Sequence, residues 1–257
     1  MPKIPSYHLF PTAETASKTL AAEIGELVSS RAAAGQSAVL GLATGSTPIP
    51  LYEELVCLHR KGLSFANVTT FNLDEYLGLE RKHKESYWHF MHTHLFDHIN
   101  IPPGNIYIPD GTIADENLQG HCLDFENAIV RAGGIDLQVL GIGRNGHIGF
   151  NEPGASPEVR THVTSLNKVT IADAAESFDG PQNVPARAIT MGVGTILDAR
   201  RVVLLAFGGS KAGIVNRALT PGITSEVPAT YLQLHDNVSF FVDTDAGAAI
   251  EASSPPE

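Results

Sequence analysis

The sequence predicts an α/β protein on an open, mostly parallel sheet with helices on both faces, a modified Rossmann-like arrangement. Three observations lead there. Strand-like runs such as Ala38 to Ala43 and Val202 to Phe207 are continuously apolar, the pattern of strands covered on both faces. Most of these runs close in a turn and give way to a helical pattern, so strands and helices alternate. Hydrophobic residues make up 43% of the chain and charged residues 18%, which supplies a large core and rules out a solvated polymer.

From Thr12, a candidate N-cap, Ala13, Ala16, Leu20, Ile24, Leu27 and Val28 recur at the helical period. The strand Ala38 to Ala43 ends at Thr44-Gly45-Ser46-Thr47-Pro48, where Thr47 is expected to cap and Pro48 to open a helix bearing Leu51, Leu55 and Leu58. Val68 to Leu73 is the next strand and stops at Asp74-Glu75; Ser86 then caps a helix with Tyr87, Phe90, Met91 and Phe96 on its apolar side. Leu118, Cys122, Phe125 and Ile129 mark a helix that stops at Gly133-Gly134, just before the strand Leu137 to Ile142. Val202 to Phe207 leads through Gly208-Gly209-Ser210-Lys211 to a helix ending near Leu219, and Val238 to Val242 is the last strand. No linker or repeat divides the chain, so 1–257 reads as one domain, with a tail at 246–257 expected to fray.

The net charge of −11 would be repelled by a nucleic-acid backbone or an anionic membrane, so neither is expected as a partner. A small anion is still accommodated, because oriented amides and one lysine make a local positive pocket. Cys57 and Cys122 lie inside helical patterns and read as reduced thiols. Met1 to Thr12 has no continuous apolar stretch, which excludes a signal peptide or a span there and makes the cytoplasm the expected location.

In an open parallel sheet, ligands bind beyond the carboxyl ends of the strands. Four of the strands end in reactive residues: Thr44 to Thr47, Asp74-Glu75, Asn145-Gly146-His147 with Glu152 close behind, and Ser210-Lys211. Together they describe one cleft with hydroxyls and a lysine for an anion, and carboxylates and an imidazole for proton transfer. Gly141-Ile-Gly143-Arg-Asn-Gly146 matches a dinucleotide fingerprint, but Pro153 and Gly154 break any following helix and no ribose-binding acid closes a strand downstream. His89, His92, His94 and His98 are expected on one helix, with His94 and His98 sharing a face; with no cysteine and no H-E-x-x-H pattern beside them, no metal is expected.

Four stretches in sequence order then carry a resemblance: Leu42-Ala-Thr-Gly-Ser-Thr-Pro48, Phe71-Asn-Leu-Asp-Glu-Tyr-Leu-Gly78, Gly143-Arg-Asn-Gly-His-Ile-Gly-Phe-Asn-Glu-Pro-Gly154 and Leu232-Gln-Leu-His235. From about Leu40 to Val242 the chain resembles the glucosamine-6-phosphate deaminases of the amino-sugar phosphate isomerase/6-phosphogluconolactonase superfamily. The resemblance implies conversion of D-glucosamine 6-phosphate and water to D-fructose 6-phosphate and ammonia in amino-sugar catabolism. It implies no cofactor, either a monomer or a homo-oligomer, and a reaction classed as both hydrolase and isomerase. His147 would open the sugar ring, Glu152 and Asn145 would orient it, and Asp74 would move the C2 proton to C1. The Gly45 backbone, Ser46, Thr47 and Lys211 would hold the phosphate.

The chain departs from the pattern in three places. Asn145 stands where many members have aspartate, removing a charge beside the imidazole. Glu176 or Ser177 stands where members place a phosphate-gripping arginine, which leaves the galactosamine epimer as an alternative substrate. Where activator-regulated members carry basic side chains, this chain has His162 and Thr164. Of the rival readings, 6-phosphogluconolactonase would show Asp-Glu-Arg after the second strand and a leucine-phenylalanine pair at Asn151-Glu152; a non-catalytic sugar-phosphate sensor would not need Asp74, His147 and Glu152 intact.

Overall fold

Residues 3–253 are described by a computed structural model of the chain. The elements run β1 (Ser6–Phe10), α1 (Ala13–Ala33), β2 (Ala38–Leu42), α2 (Ile49–Arg60), β3 (Val68–Asn72), β4 (Asp74–Tyr76), α3 (Tyr87–His94), β5 (Ile106–Tyr107) and α4 (Leu118–Arg131). They continue with β6 (Leu137–Leu140), β7 (His162–Ser165), α5 (Lys168–Ala174), β8 (Arg187–Thr190), α6 (Val193–Leu197), β9 (Val202–Ala206), α7 (Ala212–Leu219), β10 (Val238–Asp243) and α8 (Thr244–Ser253). Seven strands form a parallel sheet in the order β1-β10-β9-β6-β2-β3-β5. A second sheet, β4-β8-β7, is antiparallel.

The continuous apolar strands are two-sided, as expected. In β9, Val202 and Leu204 join one core with Phe71, Phe125 and Phe240, while Val203 and Leu205 join the opposite core with Leu20, Ile24, Leu51 and Leu55. The period of two thus feeds both faces from one strand. Thr12 caps α1 by accepting the Thr15 N–H at 3.2 Å, and Ser86 caps α3 by accepting the His89 N–H at 3.1 Å.

Several expectations are corrected. Thr47 does not cap α2; Pro48 occupies the N-cap position, the helix starts at Ile49, and no side chain caps it. The helix after Ser86 stops at His94, because Leu95 leaves helical geometry at φ −140°; Phe96–His98 is a separate 3₁₀ turn, so His94 and His98 share no helix face. Of the tail expected at 246–257, residues 246–253 belong to α8, with Ala246 fully buried, and 254–257 lie outside the described residues. The strand ending at Leu73 is two strands in different sheets. β3 pairs with β2, Leu73 bridges by donating to Leu42 O at 3.0 Å and accepting from Met191 N at 2.6 Å, and Asp74 then opens β4 opposite Thr190.

Candidate active site

That switch of sheets sets Asp74 at the carboxyl edge of the large sheet, turned into a cavity of about 290 Å³ that also receives Thr44 to Thr47, His147, Thr170 and Lys211. Among the residues expected in the site, Gly45, Ser46, Thr47, Asp74, His147 and Lys211 line this cavity, while Asn145 and Glu152 stand behind His147.

One end of the cavity is the turn after β2. Gly45 has φ +91°, a left-handed conformation that costs glycine nothing and turns the chain sharply ahead of α2. Lys211 reaches the cavity from the turn after β9, its Nζ donating to Ile142 O at 2.8 Å. Burial lowers its pKa; Asp173 opposes that shift and Arg144 adds to it.

His147 lies directly on Gly143: a Cβ there would stand 2.2 Å from the imidazole Cε1, so the ring occupies space that only glycine leaves free. Its Nδ1 is 3.4 Å from Glu152 Oε2 and 3.4 Å from Thr170 Oγ1. Glu152 is itself held from several directions. Thr170 Oγ1 donates to Oε1 at 2.6 Å, the Asn167 N–H donates to Oε1 at 3.0 Å, and Asn145 Nδ2 donates to Oε2 at 2.8 Å. Burial works to raise this carboxyl, but the donors from His147, Thr170 and Asn167 prevail and hold it down to about 2. A fixed carboxylate therefore backs the imidazole, the arrangement that orients a histidine for proton transfer.

Asp74 is 6% exposed. Burial and then the neighbouring Glu75 raise its pKa well above the usual carboxylate range. The sequence placed Asp74 and Glu75 together as proton-transfer carboxylates, and here the structure separates them. Glu75 accepts the N–H groups of Tyr76 at 2.9 Å, Tyr87 at 3.0 Å and Trp88 at 3.0 Å, so it anchors the start of α3. Burial still outweighs those donors and lifts it to about 7.

Thr170, Asp173 and Tyr87 also line the cavity, and the sequence did not single them out. Tyr87 belongs to the apolar helix face that the sequence predicts, yet its hydroxyl meets Tyr76 and Thr44. Thr170 sits 18 residues from the acid it serves; no local spacing marks such a partner. The fourth motif is structural: His235 Nε2 is 2.6 Å from Ala199 O and its Nδ1 accepts the Asn237 N–H at 3.0 Å. Cys57 and Cys122 are both free, and no helix among the described residues is long and apolar enough to cross a membrane.

The fold is that of an α/β family of sugar-phosphate enzymes: the chain belongs to the glucosamine-6-phosphate isomerases and 6-phosphogluconolactonases, whose model matches residues 11–240. It is 47% identical over 214 residues to a glucosamine-6-phosphate deaminase of Clostridium perfringens strain 13, covering 83% of this chain and 88% of that one. It is 46% identical over 226 residues to a glucosamine-6-phosphate deaminase of Thermoanaerobacter sp. strain X514, covering 88% of each. A solved monomeric glucosamine-6-phosphate deaminase superposes with a TM-score of 0.91 at 41% identity, over 95% of this chain and 99% of the other. These relatives correct one expectation. Both curated relatives are glucosamine-6-phosphate deaminases, on the isomerase side of the family, so the hydrolase class is withdrawn and the isomerase class stands.

Proposed function

We propose that this chain is a glucosamine-6-phosphate deaminase that works as one domain in the cytoplasm, on an amino-sugar phosphate and without a cofactor. The observation that carries the reading is the joint placement, in one cavity, of an anion turn, a buried carboxylate at Asp74 and an imidazole backed by Glu152. His147 passes a proton between the anomeric hydroxyl and the ring oxygen and so opens the sugar. Asp74 takes the proton from C2 of the open form; the C2–H electrons form the C1–C2 double bond of an enolamine as the C1 carbonyl oxygen gains a proton. Returning the proton to C1 leaves a C2 iminium. Water adds to C2, ammonia leaves with the nitrogen, and the C2 ketone of fructose 6-phosphate remains.

The rival lactonase chemistry would leave Asp74 without a carbon-bound proton to move, and its expected Asp-Glu-Arg is here Asp74-Glu75-Tyr76. The test is an ammonia-release assay with glucosamine 6-phosphate, galactosamine 6-phosphate and 6-phosphogluconolactone side by side. Ammonia from the first substrate at the highest kcat/KM is the expected result. Lactone opening without ammonia release would overturn the reading, and a preference for the galactosamine epimer would reassign the substrate.

A further inference from the structure

The proposed phosphate cradle has an acid in its wall. Asp173 on α5 lines the cavity with Ser46, Thr47 and Lys211, and a carboxylate there repels an arriving phosphate dianion. Arg144 answers that charge. Its Nε donates to Asp173 Oδ2 at 3.0 Å and its Nη2 donates to Oδ1, the two-pronged geometry with which a guanidinium holds carboxylates and phosphates alike. The two side chains are 54% and 35% exposed, so the pair contributes little to the fold and is open to exchange.

Arg144 also follows Gly143, which itself lines the cavity, so its backbone is fixed at the rim by the turn that seats His147. We infer that Arg144 is a ligand of the substrate phosphate and that Asp173 holds its place in the unliganded enzyme. The phosphate takes the guanidinium edge that the carboxylate occupies, and Asp173 turns toward the neighbouring pocket that it also lines, with Lys84 and Ser177. One anion replaces another on the same cation, and no covalent bond changes. In this way the chain supplies a guanidinium to the phosphate from the loop after β6, although Glu176 and Ser177 on the facing segment offer none.

The inference rests on the proposed function for the identity of the phosphate's carrier, and inorganic phosphate tests it separately from turnover. Calorimetric titration of the whole chain with inorganic phosphate is expected to show Arg144→Gln binding about tenfold more weakly, the worth of a charge-assisted bond. Asp173→Asn is expected to bind several-fold more tightly, a gain that misfolding cannot produce. Arg144→Lys, which keeps the charge and loses the two prongs, should fall between wild type and Arg144→Gln. If Asp173→Asn instead weakens binding as Arg144→Gln does, the pair is only a clasp on α5 and the inference is wrong. Unchanged affinity in Arg144→Gln, or no phosphate binding by the wild type at millimolar concentration, overturns it equally. A chain that shows the expected affinities yet releases no ammonia from glucosamine 6-phosphate keeps Arg144 as an anion ligand and loses the deaminase reading.

Discussion

Asp74 can act as a base only in its ionised form, and the protein makes that form costly by burying it beside Glu75. A base whose pKa is raised toward the working pH removes a carbon-bound proton with more driving force than an ordinary carboxylate would. Asp74→Asn keeps the shape and loses the proton acceptor. Its expected effect is a fall in kcat of about 10²–10⁴-fold with the affinity for inorganic phosphate unchanged, read by steady-state kinetics and phosphate titration. Solvent exchange of the C2 proton at the wild-type rate in that variant would show that another group does the work. Glu75 tunes this acid rather than sharing its chemistry. Its charge is one of the two causes that raise Asp74, so Glu75→Gln removes a like charge and lowers the pKa of Asp74. If Asp74 is the base, activity rises with pH as it ionises, so the acid limb of the kcat/KM profile in Glu75→Gln is expected at lower pH than in wild type. A limb that stays in place would mean that the two carboxylates do not couple.

At the scale of elements, the site depends on a strand that changes sheets and on one short helix. β3 ends at Asn72 and β4 begins at Asp74, so Asp74 is held by hydrogen-bonded backbone on both sides of Leu73. α5 supplies Thr170 and, through its Asn167 cap, a second donor to Glu152. Thr170→Val deletes one of those donors at nearly constant volume. It is expected to cost about 1 kcal/mol of stability and to lower the melting temperature by about 2–4 °C; kcat should fall further than stability explains, because His147 loses its fixed neighbour. Thermal melting and steady-state kinetics on the same preparation check both. The core strands of the large sheet were legible because continuous apolar runs between turn residues have few other readings; β2, β3, β6, β9 and β10 fall where the pattern put them. Asp74, His147, Lys211 and the turn at Gly45 were legible because each ends such a run. β1, β7 and β8 were not, since Ser6–Phe10 mixes polar Ser6 and His8 with apolar residues and is exposed along all but its last position, and β7 and β8 pair only with a sheet that no local pattern announces. Thr170 and Asp173 escaped notice for the same reason: their partners are set by tertiary placement.

At the scale of the molecule, regulation by a second phosphate site needs free cationic side chains between subunits. In the segment 155–164, Arg160 is the only arginine or lysine, and its guanidinium is paired with Asp198. His162 Nδ1 sits 2.8 Å from Arg160 O, which binds that ring to the backbone. Hyperbolic substrate kinetics are therefore expected, unmoved by N-acetylglucosamine 6-phosphate. A sigmoidal curve that this compound straightens would refute the expectation.

β1 sits at one edge of the large sheet, where its only strand partner is β10, and the Ser6 hydroxyl reaches Val238 O across 232 positions of sequence. Such a strand cannot find its place during synthesis until β10 has emerged, and a pairing this distant in sequence closes late. Until it closes, β10 offers an uncovered row of backbone donors and acceptors beside Phe240 and Phe241, a template for another nascent chain. Removing residues 1–10 should make that interval permanent: light scattering during refolding is expected to rise steeply for the shortened chain at concentrations where the full chain stays clear. β1 is then the strand that covers the β10 edge, and the yield of soluble protein on refolding is expected to follow how quickly it pairs.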